Sequence, residues 1–300
     1  MKKVLSISTG SSTRDHTAEA EFLGEQFWIS RQGTDGDFEK ALELYRQNDG
    51  VMDALGVGGA EFYLLVNNRR YYFREIMRIR EVVKVSKLAD GNGIKHILEP
   101  RAVQSLREHG IELRGKKALS TTAVDRYGLA RGLAEAGCQM TFGDFMFALD
   151  IPLPIHSLRT IHIVAALLLP IITRLPYRWF YPLGEEQEKE PSKKYSRFYE
   201  EADVIAGDFL QVWSHLPDDL SGKIIITNTT TPKNVEELQK RHLHILVTTT
   251  PRLAGRSFGT NVMEGVCRCL IDKPDDQITP EDLTEIIDRI PLKPQVHVLN

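Results

Sequence analysis

The chain has 300 residues, 42% hydrophobic and 26% charged, with a formal net charge of −3. That length holds one large or two medium domains, and mild acidity with scattered Lys and Arg excludes a nucleic-acid-binding face. Three cysteines, Cys138 and the closely spaced Cys267 and Cys269, exclude a disulfide framework and a zinc knuckle, so no metal is expected. The opening MKKVLSIS is too briefly apolar for a signal peptide, so a cytoplasmic location is expected.

Residues 4–8 read as a buried strand that empties into a hydroxyl-rich loop. Ser11, Ser12 and Thr13 are candidate donors to a small anion there, with simple turn formation and capping as the alternative. Residues 26–30 read as a second strand, and acids at 33–37 cap an amphipathic helix through Ala41, Leu42, Leu44 and Tyr45. Residues 62–66 and 71–73 read as strands joined at Asn67-Asn68. Residues 74–85 return to helical period. The stretch 87–95, KLADGNGIK, reads as a polar loop at a domain junction, where ligands are commonly buried. A helix from about 100 to 109 follows. Lys87 and Asp90 would share one rim of that junction, where a lysine beside a carboxylate holds a hydroxyl and relays its proton. Asn92 and Lys95 stand beside them as substrate-binding candidates.

Residues 115–144 read as strand, tight turn, helix and second strand ending in an acid. The helix carries Leu129, Ala130, Leu133 and Ala134 at helical spacing and stops at Gly137. Asp144 follows Thr122 by 22 residues, the interval at which a dinucleotide-binding unit places a carboxylate for the ribose 2′-hydroxyl. Thr121, Thr122, Asp125, Arg126, Tyr127 and Gly128 form the turn and would line a cofactor. The glycine fingerprint is incomplete, and only Gly128 stands where a glycine lets the helix approach closely.

Residues 145–182 form a long apolar, proline-punctuated stretch centred on IHIVAALLLPII at 161–172, too short to span a bilayer that needs about 20 residues. Three roles stay open for it: a buried helix or dimer face, a cover over an apolar substrate, and a membrane-surface contact through 161–182. A charged connector spans 185–194. Strands at 202–208, 223–227 and 244–247 then end in small polar residues, with Asp208, Asn228 and Thr229 among them. In an open parallel sheet such loops line the ligand crevice. A helix at 262–271 carries Glu264, with Asn261 at its start, and a last helix covers 280–290.

The order of these elements resembles the shikimate/quinate dehydrogenase group, in particular the quinate 5-dehydrogenase-like branch. ADGNG, a helix, GIELRGKKALS, a turn and LAEAG stand in that group's order, followed by ADVIAGD, TNTTT and FGTNVMEG. The resemblance implies an NAD-dependent oxidoreductase, NADP being the other choice, that moves hydride to or from a hydroxylated cyclic acid. Ser11, Ser12, Thr13, Asn92, Lys95, Asn261 and Glu264 would then bind substrate. Lys87 and Asp90 would be catalytic, with Lys95 as the rival lysine. The implied fold is an N-terminal α/β substrate domain over 1–98 and a Rossmann-like doubly wound parallel-sheet domain over 99–300, with an apolar helical insertion at about 145–200. A small-molecule substrate and a homo-oligomer go with it. Departures are the AVDRYG turn, in which Asp125 opposes a pyrophosphate, and the long insertion. Two other classes compete. A nucleotide-sugar-dependent, glycosyltransferase-like transferase would use Phe258, Gly259 and Glu264, and a non-catalytic sensor or assembly protein would use the insertion as an interface.

Overall fold

The computed structural model describes residues 1–179, 192–250, 252–253, 256–257 and 259–300. Phe258 and the expected connector as far as residue 191 lie outside the described residues, as do residues 180–182 of the expected membrane contact. The protein is a mixed α/β structure built on two mainly parallel sheets.

The first part of the chain runs β1 (Lys2–Ser8), β2 (His16–Phe22), β3 (Glu25–Gly33), α1 (Phe38–Asn48), β4 (Ala54–Gly58), the hairpin β5 (Tyr63–Val66) and β6 (Arg69–Tyr72), α2 (Arg74–Val82), β7 (Lys87–Ala89) and α3 (Asn92–Glu108). Its sheet has the order β2-β3-β1-β4-β7, with only β2 antiparallel. The two-residue period of a strand sends Leu5 and Ile7 to one face, in one core with Leu42, Tyr45 and Ile76 of α1 and α2, and sends Val4 to the other. Asn67 and Asn68 both adopt left-handed φ, 48° and 62°, as the hairpin turn requires.

The second part runs β8 (Lys117–Ser120), α4 (Tyr127–Glu135), β9 (Gln139–Phe142), α5 (Asp144–Leu149), α6 (Leu158–Ile172), α7 (Ser196–Glu201), β10 (Val204–Ala206), α8 (Phe209–Trp213), β11 (Ile224–Thr227), α9 (Pro232–Lys240) and β12 (Ile245–Thr248). A short ribbon, β13 (Arg252–Leu253) with β14 (Arg256–Ser257), precedes α10 (Thr260–Leu270), α11 (Pro280–Arg289) and β15 (Gln295–Val298). The sheet order is β9-β8-β10-β11-β12-β15, parallel except for β15. Ala118, Val204, Ile226 and Val247 share one core with α3 and α4, whereas Leu119, Ile205, Ile225 and Leu246 share another with α7, α8 and α9.

Several expectations change. Residues 87–95 are not a loop. Three residues pair as β7, Gly91 turns with φ 93°, and α3 already starts at Asn92, so the expected boundary at 98/99 falls inside a helix. Helices α10 and α11, late in the chain, cover the free face of the first sheet, where Val262, Met263, Val266 and Ile286 join Val4, Phe27 and Ile29 in one core. Most consequential is the place of β10. A dinucleotide-binding sheet adds its third strand beyond the second. Here β10 crosses to the opposite side of β8, and the order of the five parallel strands becomes second-first-third-fourth-fifth.

Candidate functional site

Both sheets reverse winding direction beside their first strand, at β1/β4 and at β8/β10, and a doubly wound sheet opens its ligand crevice at the carboxyl ends of strands at such a point. The loops there bring Glu61, which follows β4, against Asp125 and Arg126, which follow β8. Lys95, from the first turn of α3, lies between them.

The meeting is an ion cluster. Lys95 Nζ donates to Glu61 Oε2 at 3.0 Å and to Asp125 Oδ1 at 3.0 Å. Arg126 pairs with Asp208 at 2.7 Å, with Asp125 at 3.4 Å and with Glu99 at 3.4 Å. Glu61, Lys95, Glu99, Asp125 and Arg126 are all buried. Burial drives Glu61 and Glu99 toward their protonated forms. Against the same burial, Lys95 and Arg126 hold Asp125 well below the usual carboxylate range. The two cations are kept charged by the acids around them in spite of desolvation. His96, next on α3, is pushed down to about 3 by burial and by Lys95, and so stays neutral.

Beside the cluster lies a mostly apolar pocket of about 70 Å³ between the β5–β6 hairpin, the β8 turn, α5 and α6. Leu64 and Phe73 line it from one side and Val164, Leu168, Leu169 and Ile172 of α6 from the other, while Thr122, Asp125, Asp144 and Gln211 supply polar groups. Asp144 Oδ1 accepts from the Val124 N–H at 3.0 Å, but Oδ2 is buried with no partner. Burial outweighs the backbone donors and raises this carboxyl to about 6. The Thr122 hydroxyl donates to Gln211 Oε1, and the Thr121 hydroxyl nearby has no partner.

The residues singled out from sequence divide between the crevice and several places away from it. Thr121, Thr122, Asp125, Arg126, Asp144, Asp208 and Lys95 gather at the crevice. Asn228 joins them by donating to Asp208 Oδ2 at 2.7 Å, with half-buried Thr229 next to it. Tyr127 turns to His162 on α6, its hydroxyl 2.8 Å from Nε2. Gly128 lets α4 meet α3, since a Cβ there would lie 2.7 Å from Glu99 Oε2.

Other candidates lie elsewhere. Lys87 and Asp90 do not share a rim, because they flank opposite ends of β7. Lys87 Nζ donates to the Arg268 and Ile271 carbonyls at the end of α10, both at 2.6 Å, and Asp90 accepts from the Phe62 N–H and from Asn92 Nδ2, each at 2.8 Å. The buried Asn92 side chain also donates to the Tyr63 carbonyl. Asn261 and Glu264 face the first sheet and α3 rather than the crevice: Asn261 donates to Ser6 Oγ, and Glu264 receives the Gly93 N–H and the Arg268 guanidinium. The Ser11–Thr13 loop is closed on itself, with Ser11 and Thr13 hydroxyls 2.8 Å apart and the Ser12 N–H donated to Asp35. Glu61, Glu99 and Gln211 went unnoticed in the sequence. For Glu99 a signal existed, because it stands four residues after Lys95, on the same helical face.

Residues 93–299 match the model of a family described as Domain of unknown function (DUF8754), and residues 3–90 match that of DUF8753. No curated protein matches the chain. Among solved structures it is similar to a galactofuranose binding protein (10% identity, 99% of this chain, 95% of that one, TM-score 0.39). A glucose-galactose binding protein from Geobacillus stearothermophilus (9%, 99% and 97%, TM-score 0.38) and a protein from Mycobacterium smegmatis (9%, 100% and 91%, TM-score 0.39) are similar to the same degree. These findings correct the expected kinship with shikimate/quinate dehydrogenases, and the oxidoreductase activity falls with it. The matching models are of other families. The physical reasons lie in the strand order, the separation of Lys87 from Asp90, and the commitment of Asp125 and Arg126 to buried ion pairs where a pyrophosphate would lie.

Proposed function

This chain belongs to the DUF8754 family, matched over residues 93–299, and from its crevice we propose that it is a non-catalytic binding protein for a small, mainly apolar molecule carrying one hydrogen-bond donor. The observation that carries this reading is Asp144 Oδ2, buried without a partner on the wall of an apolar pocket. A carboxyl oxygen held away from water costs free energy until a donor reaches it. A ligand hydroxyl would supply one, and an ammonium would add charge assistance. The apolar remainder of the ligand would rest on Leu64, Phe73, Leu168 and Ile172. The pocket is roughly half the size of an apolar cavity that takes up benzene, so it suits a short aliphatic chain of a few carbons. A sugar, the ligand class named for two of the similar structures, would set its many hydroxyls against this apolar wall, which costs free energy.

The test is a thermal-shift and calorimetric panel of short aliphatic and aromatic alcohols and amines, monosaccharides and nicotinamide dinucleotides. Saturable binding of an alcohol or amine is expected, weakened at least about tenfold by Asp144→Asn if the contact is charge-assisted. Binding by monosaccharides or dinucleotides alone, or by none of the classes, overturns the reading.

A further inference from the structure

The outer face of α6 has an apolar stripe that nothing within the described residues covers. While Ile161, Ala165 and Leu169 are buried, Ile163, Leu167 and Ile171, at successive spacings of four, are 54%, 66% and 62% exposed. Four residues is just over one helical turn, so the three form one continuous ridge. Beside its C-terminal half the β5–β6 hairpin and the start of α2 bring Arg69, Arg70 and Arg74 into one groove with Pro170, Thr173 and Arg174. The Arg74 N–H donates to the Thr173 carbonyl at 3.0 Å, which ties the two elements together. Among the described residues none of these four arginines pairs with a carboxylate, and Glu81 is the one acid on the groove wall.

We propose that this face docks on an anionic membrane surface, with the α6 ridge in the headgroup layer and the arginines on lipid phosphates. An apolar ridge flanked by cations that no described carboxylate pairs fits that surface on both counts. A symmetric contact between two copies fits worse, because a two-fold axis through the ridge would bring the arginine groups toward each other. The helix lies on the bilayer and does not cross it. Its 15 residues reach about 22 Å against about 30 Å of hydrocarbon, and no described helix is long and apolar enough to span a membrane. Docking rests on the outer face alone and stands or falls separately from the pocket ligand.

Co-sedimentation with vesicles of phosphatidylcholine, and of phosphatidylcholine mixed equally with phosphatidylglycerol, tests it. The protein should bind the anionic vesicles, release them as salt rises, and ignore the zwitterionic ones. Leu167→Asp, and separately the double variant Arg69→Glu/Arg174→Glu, should each weaken binding at least about tenfold. All three side chains are exposed, so a melting temperature and circular dichroism spectrum like those of the wild type will confirm folding. Absence of anionic-vesicle binding at low salt overturns the proposal, as does binding that Leu167→Asp leaves unchanged. A dimer in sedimentation equilibrium that Leu167→Asp splits, with no vesicle binding, overturns it in favour of a second copy as occupant.

Discussion

The ion cluster and the apolar pocket share a wall at Asp125, yet they treat buried polarity in opposite ways. In the cluster, Glu61, Asp125 and Glu99 each find a cation in Lys95 or Arg126. In the pocket, the outer oxygen of Asp144 finds nothing. Both cost desolvation, but only the first is repaid within the chain. Buried charges that close among themselves join the loops of the two sheets, whereas a carboxyl left open marks where something else belongs.

The largest effect that would sharpen this contrast is Lys95→Met. It leaves Glu61 and Asp125 to Arg126 alone, and breaking a buried pair from one side costs about 3–5 kcal/mol. Denaturant unfolding should report that loss, and Lys95→Met/Glu61→Leu should recover much of it. A recovery of nothing would mean that the cluster does not couple the sheets as a pair. Asp144 should behave in the reverse sense. Its carboxyl titrates at about 6 when folded against 3.8 ordinarily, so the folded state holds the proton more tightly and stability falls as pH rises through that window. The difference amounts to about 3 kcal/mol. Asp144→Asn should remove most of this pH dependence and be more stable than the wild type at pH 8, while matching it near pH 4. Equal stability at pH 8 would place a donor on Oδ2 in the free protein. The smallest effect concerns a residue outside both regions. Lys87→Met removes two charge-assisted bonds to the end of α10 and should cost about 1–3 kcal/mol. Ligand affinity should not change with it, and a change would mean that the crevice extends to β7.

Much of the local structure was legible. The apolar, β-branched runs of β1, β10, β11 and β12 announce buried strands, and α1 begins at Asp37, one of the acids expected to cap it, while Thr231 and Thr279 cap α9 and α11. Strands β2, β7 and β15 were not legible. The alternating HTAEAEF of β2 lies at a half-solvated edge, β7 has three residues, and β15 is a short edge strand, so none carries an apolar run of its own. Of the site, the residues after β8 together with Asp144 and Asp208 could be named in advance. Lys95 could be named too, but not its pairing, because it meets Asp125 and Glu61 from 30 and 34 residues away.

By itself the sequence determined the α/β alternation, the limits of several helices and the gathering of polar residues at strand ends, because periodicity and capping act over a few residues. Tertiary structure alone decided that β10 crosses to the far side of β8, that α10 and α11 return to the first sheet, and that Asp144 is left open while Asp125 is paired. Those outcomes depend on which distant surfaces bury one another, and the order of elements along a chain is the same whichever side a strand joins. For that reason an order of elements resembling a dehydrogenase accompanies a different arrangement in space.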